Sequence, residues 1–127
     1  MGQINRLDPL DIRGRLDELR RLEDGWLDGV GIAPGSDELE WLAAGFDRHY
    51  PDDLPLPYLY PTVEGGVRAE WSLSDFEISL EVNLVTHRAD WHRLNQETHT
   101  DDTRELELDN ENDWAWIASA LCKRPGP

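Results

Sequence analysis

Imidazoles and carboxylates gather in one stretch of the chain: His87, Asp90, His92, His99, Asp101 and Asp102. These are ligand types suited to a divalent metal. On a regular strand Asp90 and His92 share a face. A small metal-dependent enzyme using His87, Asp90, His92 and His99 is therefore one reading. Their spacing matches no familiar metal motif, and a polar strand edge followed by a solvated loop accounts for the same residues. Other catalytic signatures are absent: no phosphate loop, no Gly-x-Gly-x-x-Gly, no paired cysteines, no His-Glu-x-x-His and no nucleophile elbow. The lone Cys122 excludes an internal disulfide and suits a reducing cytosol. Placed near an apolar helix end, it is expected to pack rather than react. The expectation is a protein with no catalytic residues, no metal and no cofactor.

Charge points elsewhere. Twenty-seven Asp and Glu face twelve Lys and Arg, a formal net charge of −15. Such a field repels nucleic acid and anionic membrane and attracts basic protein surfaces. Its carboxylates are patterned. From Phe76 to Leu84, apolar Phe76, Ile78, Leu80, Val82 and Leu84 alternate with Glu77, Ser79, Glu81 and Asn83. That period of two buries one face and wets the other. Glu70 beside Trp71 invites a catalytic reading, but alternation sends it to the wet face with Glu77, Glu81, Glu105 and Glu107. Alternate strand residues stand about 6.8 Å apart and neighbouring strands about 4.8 Å apart. Glu70, Glu77, Glu81, Glu105, Glu107 and Asp109 are then an array on the scale of phosphates along a nucleic acid. An ordinary solvated sheet face is the simpler account of the same residues.

The elements that must position this array follow in order. Asp8-Pro9 marks a helix start, and Ile12, Leu16, Leu19 and Leu22 form its apolar stripe. Arg6, Arg13, Arg15, Arg20 and Arg21 cluster along this segment, so the acidic surface lies elsewhere. A connector rich in glycine carries Trp26, expected as a plug folding the loop onto the core. Ser36 is expected to cap a second helix with Leu39, Leu42, Ala43 and Phe46 inside, and Trp41 off that face as a candidate aromatic anchor. Pro51, Pro55 and Pro57 hold an extended link. A sheet starts at Tyr58, with Pro61 marking an edge strand and Gly65-Gly66 a hairpin. Val67–Ser72 and Phe76–Leu84 are strands. The next, about Thr86 to Asn95, needs a bulge near His92 or Arg93 to put Trp91 and Leu94 on one face. Gln96 to Thr103 reads as a polar loop, and Arg104 to Asp109 as a fifth strand. Asn112 is expected to cap a last helix, ending near Lys123. The fold class is α+β: two N-terminal helices, an antiparallel meander of four or five strands and a C-terminal helix, with the helices on one sheet face. At 127 residues this is a single domain, with frayed ends about 1–7 and 124–127. No apolar run suits a signal or a membrane span, so a cytoplasmic protein is expected.

Gly25-Trp26, Gly29, Gly31, Pro34, Pro61-Thr62, Gly65-Gly66 and Glu70-Trp71 ahead of an alternating strand carry a resemblance. The chain resembles a diffuse group of small, mostly uncharacterised bacterial and phage proteins met on mobile elements, over roughly residues 20 to 120. Similar sequences usually read Gly-Trp-Asp-Gly; here Leu27 intervenes. These residues specify backbone, so no functional residue transfers. The resemblance implies toxin neutralisation or phage inhibition of host defence.

Together these features suggest a non-catalytic acidic inhibitor of a basic, nucleic-acid-handling protein, such as an antitoxin or an anti-CRISPR protein. Its contacts would be Glu70, Glu77, Glu81, Glu105, Glu107 and Asp109, with Trp41. Direct mimicry of DNA or RNA at a partner's site and the metal-dependent enzyme remain as alternatives. No direct contact with nucleic acid or membrane is expected; oligomeric state is left open.

Overall fold

The computed structural model describes residues 12–122. The expected helix start at Asp8-Pro9, the Lys123-Arg124 helix end and the frayed termini lie outside them. The fold is α+β: α1 (Ile12–Arg20), α2 (Ser36–His49), β1 (Tyr58–Pro61), β2 (Val67–Leu73), β3 (Phe76–Val82), β4 (Arg88–Asn95), β5 (Thr100–Glu107) and α3 (Glu111–Cys122). The strands form one antiparallel sheet in chain order, β1-β2-β3-β4-β5. β1 is an edge strand, where Pro61 costs no ladder hydrogen bond.

Cross-strand partners share a face, so register defines two surfaces. One is apolar: Leu59, Ala69, Leu80 and Trp91 form a row across four strands, and Val67, Val82, Ala89 and Leu106 form another. These side chains join Leu16, Leu39, Leu42, Phe46, Trp114 and Ile117 of the helices in one buried cluster. Of the expected α1 stripe, Ile12, Leu16 and Leu19 are buried, while Leu22 lies past the helix end, half-buried against the core. Arg13 of α1 ties to Glu40 and Asp47 of α2 at 3.2 and 2.7 Å.

Within the core, Tyr50 and Trp71 meet. Both are nearly inaccessible, at 8% and 3% exposure. The Trp71 indole N–H donates to Tyr50 Oη and to the Pro55 carbonyl, each at 3.1 Å. The Tyr50 hydroxyl itself donates to the Pro55 carbonyl. A proline-held link thus supplies the acceptor that lets two polar-tipped aromatics be buried.

Backbone geometry explains the glycine pattern. Asp28 and Gly29 both take positive φ, 51° and 93°, between the paired residues Leu27 and Val30. This is the I′ type of tight turn, so the connector is a miniature hairpin. The Ile32 N–H donates to the Val63 carbonyl and docks it on the β1–β2 turn. Trp26 is half-buried and donates to the Ile32 carbonyl while its ring covers Gly31. It anchors its own loop, where a plug into the core was expected. At Gly66 a Cβ would collide with the Val82 carbonyl, so only glycine admits the β1–β2 turn this close to β3.

Several expectations are corrected. β4 carries no bulge: its pairing with β3 and β5 is unbroken from Arg88 to Asn95. Trp91 points inward and Leu94 outward, half-buried. β5 begins at Thr100, so most of the expected polar loop is strand. The N-cap of α2 is Gly35, without a side-chain cap, rather than Ser36. For α3 the capping group is Asn110, whose Oδ1 accepts from the Asn112 N–H at 2.9 Å. Cys122 is exposed rather than packed.

Two outcomes test this architecture. Leu80→Ala should lower unfolding stability in urea by roughly 2–5 kcal/mol, and Leu94→Ala by about 1 kcal/mol or less; equal losses would contradict the unbroken register. Burial pushes the Tyr50 phenol up to about 12 from its ordinary value of 10. A raised folded-state pKa keeps its contribution to stability below pH 10 and loses it as pH rises to 12. Tyr50→Phe should therefore flatten the alkaline fall in stability across that window; an unchanged fall would assign it to other groups.

Candidate functional site

The second sheet face is acidic. Arg68, Glu81, Asp90 and Glu105 form one row across β2 to β5; Glu70, Ser79, His92 and Thr103 form the next; Ser72, Glu77, Leu94 and Asp101 form a third. Glu107 lies opposite Arg88 at the end of β5. Register therefore brings together Glu70, Glu77, Glu81, Glu105 and Glu107, and adds Asp90 and Asp101. The strands place them because each alternates with a residue of the buried face.

The cations on this face are engaged. Arg68 binds Glu70 at 2.7 Å and reaches Glu81 at 3.7 Å. Arg88 binds Glu105 at 3.2 Å. Among the described residues Glu77, Asp90 and Glu107 have no ion-pair partner. Exposed pairs of this kind contribute little, about 0–1 kcal/mol, and exchange readily for a better partner. At one end of the face Glu64, Glu81, Asp90 and Glu105 line a cleft of about 470 Å³ shared with Val85. Val85 is 82% exposed, and Val63 and Ile32 are exposed beside the same turns.

Trp41 and Asp109 share a different contact. Trp41, on α2, stacks on His87 with ring centroids 3.7 Å apart and planes within 9°. His87 Nδ1 lies 2.9 Å from both carboxylate oxygens of Asp109. Trp41 is half-buried against the core.

The His/Asp cluster is not one site. His87 is spent on Trp41 and Asp109. His92 pairs with Asp101 at 3.1 Å on the acidic face. Asp102 pairs with Arg93 at 2.7 Å on the other face. His99 is exposed in the β4–β5 turn. Among the described residues no group of three or more His, Cys, Asp or Glu side chains is placed to hold a metal ion.

The histidines have a backbone explanation that sequence reasoning missed. His87 and His99 take positive φ, 66° and 61°. Each ends the same turn: His87 N–H donates to the Asn83 carbonyl and His99 N–H to the Asn95 carbonyl, both at 2.8 Å. Asn83 Oδ1 accepts from the Val85 and Thr86 N–H groups, as Asn95 Oδ1 does from Glu97 and Thr98. The signal was legible as Asn-x-x-Thr-His, present at Asn83 and again at Asn95. Histidine is among the residues enriched at left-handed positions.

Comparisons of the chain with models of known protein families, with curated proteins and with solved structures found no match. No helix among the described residues is long and apolar enough to cross a membrane. The site is defined by its own chemistry: carboxylates at fixed strand positions on a sheet, with an apolar margin.

The Trp41–His87 stack can be measured. A double-mutant cycle with Trp41→Ala and His87→Ala should give a coupling of about 0.5–1.5 kcal/mol in unfolding stability. Strict additivity would mean that the stack contributes nothing to the fold, freeing Trp41 for a partner.

Proposed function

We propose that this chain is a non-catalytic acidic inhibitor or neutralising protein whose outer sheet face binds the basic surface of a nucleic-acid-handling protein, in the manner of an antitoxin or an anti-CRISPR protein. In this reading the helices lie on one sheet face and leave the other free. The observation that carries it is the row Glu81–Asp90–Glu105, with Glu107 beside it and Glu77 two rows along, held at strand spacing. The sheet fixes the Cα positions of these carboxylates, so a partner's arginines meet them at set spacing and only side-chain rotamers remain to be ordered. The field of −15 steers a basic partner toward them. Exposed Val63 and Val85 supply the apolar contact that protein interfaces need at their centre.

A second reading, mimicry of DNA or RNA, is favoured by the spacing of about 4.8 Å across strands and 6.8 Å along them. It differs in one consequence: a mimic competes with nucleic acid for the partner's site.

The test begins with pull-down from a host lysate at low and high salt, using the native chain and a Glu77→Lys/Glu81→Lys/Glu107→Lys variant checked for folding. A basic protein should be retained at low salt, released at high salt, and bound at least about tenfold more weakly by the variant. Unchanged affinity and salt dependence in the folded variant would remove the acidic face from the interaction. Simultaneous full-affinity binding of nucleic acid and this chain by the partner would exclude mimicry.

A further inference from the structure

The apolar face of the sheet turns polar at one corner. Alternation along β4 brings Trp91 and then Arg93 to that face, and alternation along β5 brings Asp102 and Arg104. α3 sets Trp116, Ser119 and Ala120 beside them, at helical spacing of three and four. Between these elements lies a cleft of about 290 Å³. Small-molecule sites start at roughly 300 Å³, so it suits a compact ligand.

Its two arginines set it apart from the acidic sheet face. Arg104 stacks over Trp116 at 4.5 Å and Arg93 over Phe76 at 4.9 Å. Stacking fixes the plane of a guanidinium and leaves its edge N–H donors directed outward. Arg93 gives one nitrogen to Asp102, and the fork has others to offer. Arg104 makes no ion pair among the described residues, in a chain with more than twice as many acids as bases. Trp91, buried in the core, meets the half-buried Trp116 edge to face at 5.1 Å and 83° and backs it beside the arginines.

We propose that this cleft binds a small organic anion, its carboxylate or phosphate head held by Arg104 and Arg93 and a flat apolar body seated against the half-buried Trp116. The proposal is independent of the acidic face. The net negative field does not forbid it: Arg93 offsets the one carboxylate in the cleft lining, Asp102, charges beyond about 8 Å are largely screened at physiological salt, and a guanidinium fork acts at contact.

The test titrates the full chain with phenyl phosphate and benzoate, read by tryptophan fluorescence and calorimetry. Benzyl alcohol and benzylamine serve as neutral and cationic controls. Saturable binding of at least one anion, with neither control binding saturably, is expected; preference between the two anions identifies the head group. Arg104→Gln, on an exposed residue, should weaken binding at least about tenfold with circular dichroism unchanged. No saturable binding of either anion up to about 10 mM, equal binding of the controls, or full affinity in folded Arg104→Gln each overturns the proposal. The choice among probes by the native chain decides the matter even if the variant folds poorly.

Discussion

Register is the constraint on which the rest depends. In an antiparallel sheet a slip of one residue sends every side chain of a strand to the opposite face. Here Leu80 lies in a buried row with Leu59, Ala69 and Trp91, while its neighbour Glu81 lies in an exposed row with Arg68, Asp90 and Glu105. The core and the acidic face are one decision expressed twice. A slip would bury Glu77 and Glu81 and expose Ile78 and Leu80. Burying unpaired carboxylates costs several kcal/mol each, so the apolar core enforces the carboxylate array as firmly as it enforces itself.

The turns hold that register from outside. The β2–β3 turn is tight, joining Leu73 to Phe76 with Ser74 at φ 56°. The β3–β4 and β4–β5 turns repeat one design, in which an asparagine side chain gathers two N–H groups and a histidine takes the left-handed position. Turn length sets which residues pair, and two identical turns carry the same phase from β3 through β4 to β5. His87 then does a second thing. It places its ring on Trp41 and its Nδ1 on Asp109, linking the β3–β4 turn to α2 and to the segment entering α3.

Much of the fold was legible, and the misses have a common cause. Phe76–Val82 and Val67–Leu73 read cleanly because each alternates apolar with polar. β4 did not, because Leu94 is an apolar residue on the polar face, and a bulge looked necessary. Thr100–Thr103 read as loop because Asp102 occupies a face that is apolar elsewhere. Both failures sit at the corner where the inner face turns polar, the corner that holds Arg93, Asp102 and Arg104. Period-two reasoning assumes two uniform faces, and it fails where one face changes character. Glu70, Glu77, Glu81, Glu105 and Glu107 were visible on one face in alternation alone, whereas Asp109 lies beyond β5 against His87, and Asp90 and Asp101 join the face instead. The aromatic-cationic cleft was not visible, because it needs three elements brought together. The histidine cluster was over-read for the opposite reason: residues close in sequence were separated by the pleat and by two turns.

The two faces also differ in how their charges are held. On the acidic face Arg68 and Arg88 bridge to Glu70, Glu81 and Glu105, reducing repulsion without cancelling it. These pairs are solvent-exposed and weak, and their cost of rearrangement is correspondingly small. Repulsion among Glu81, Asp90 and Glu105, directly opposite one another, is tolerated because the core below fixes their strands. Such a surface gains when a cation arrives, since relief of repulsion adds to direct attraction. In the cleft each guanidinium lies over an aromatic ring, Arg93 also pairing with Asp102 and Arg104 making no ion pair among the described residues. One sheet thus carries an acidic face and, at one corner of the other, a pair of arginines, and the pleat that separates them is the same pleat that builds the core.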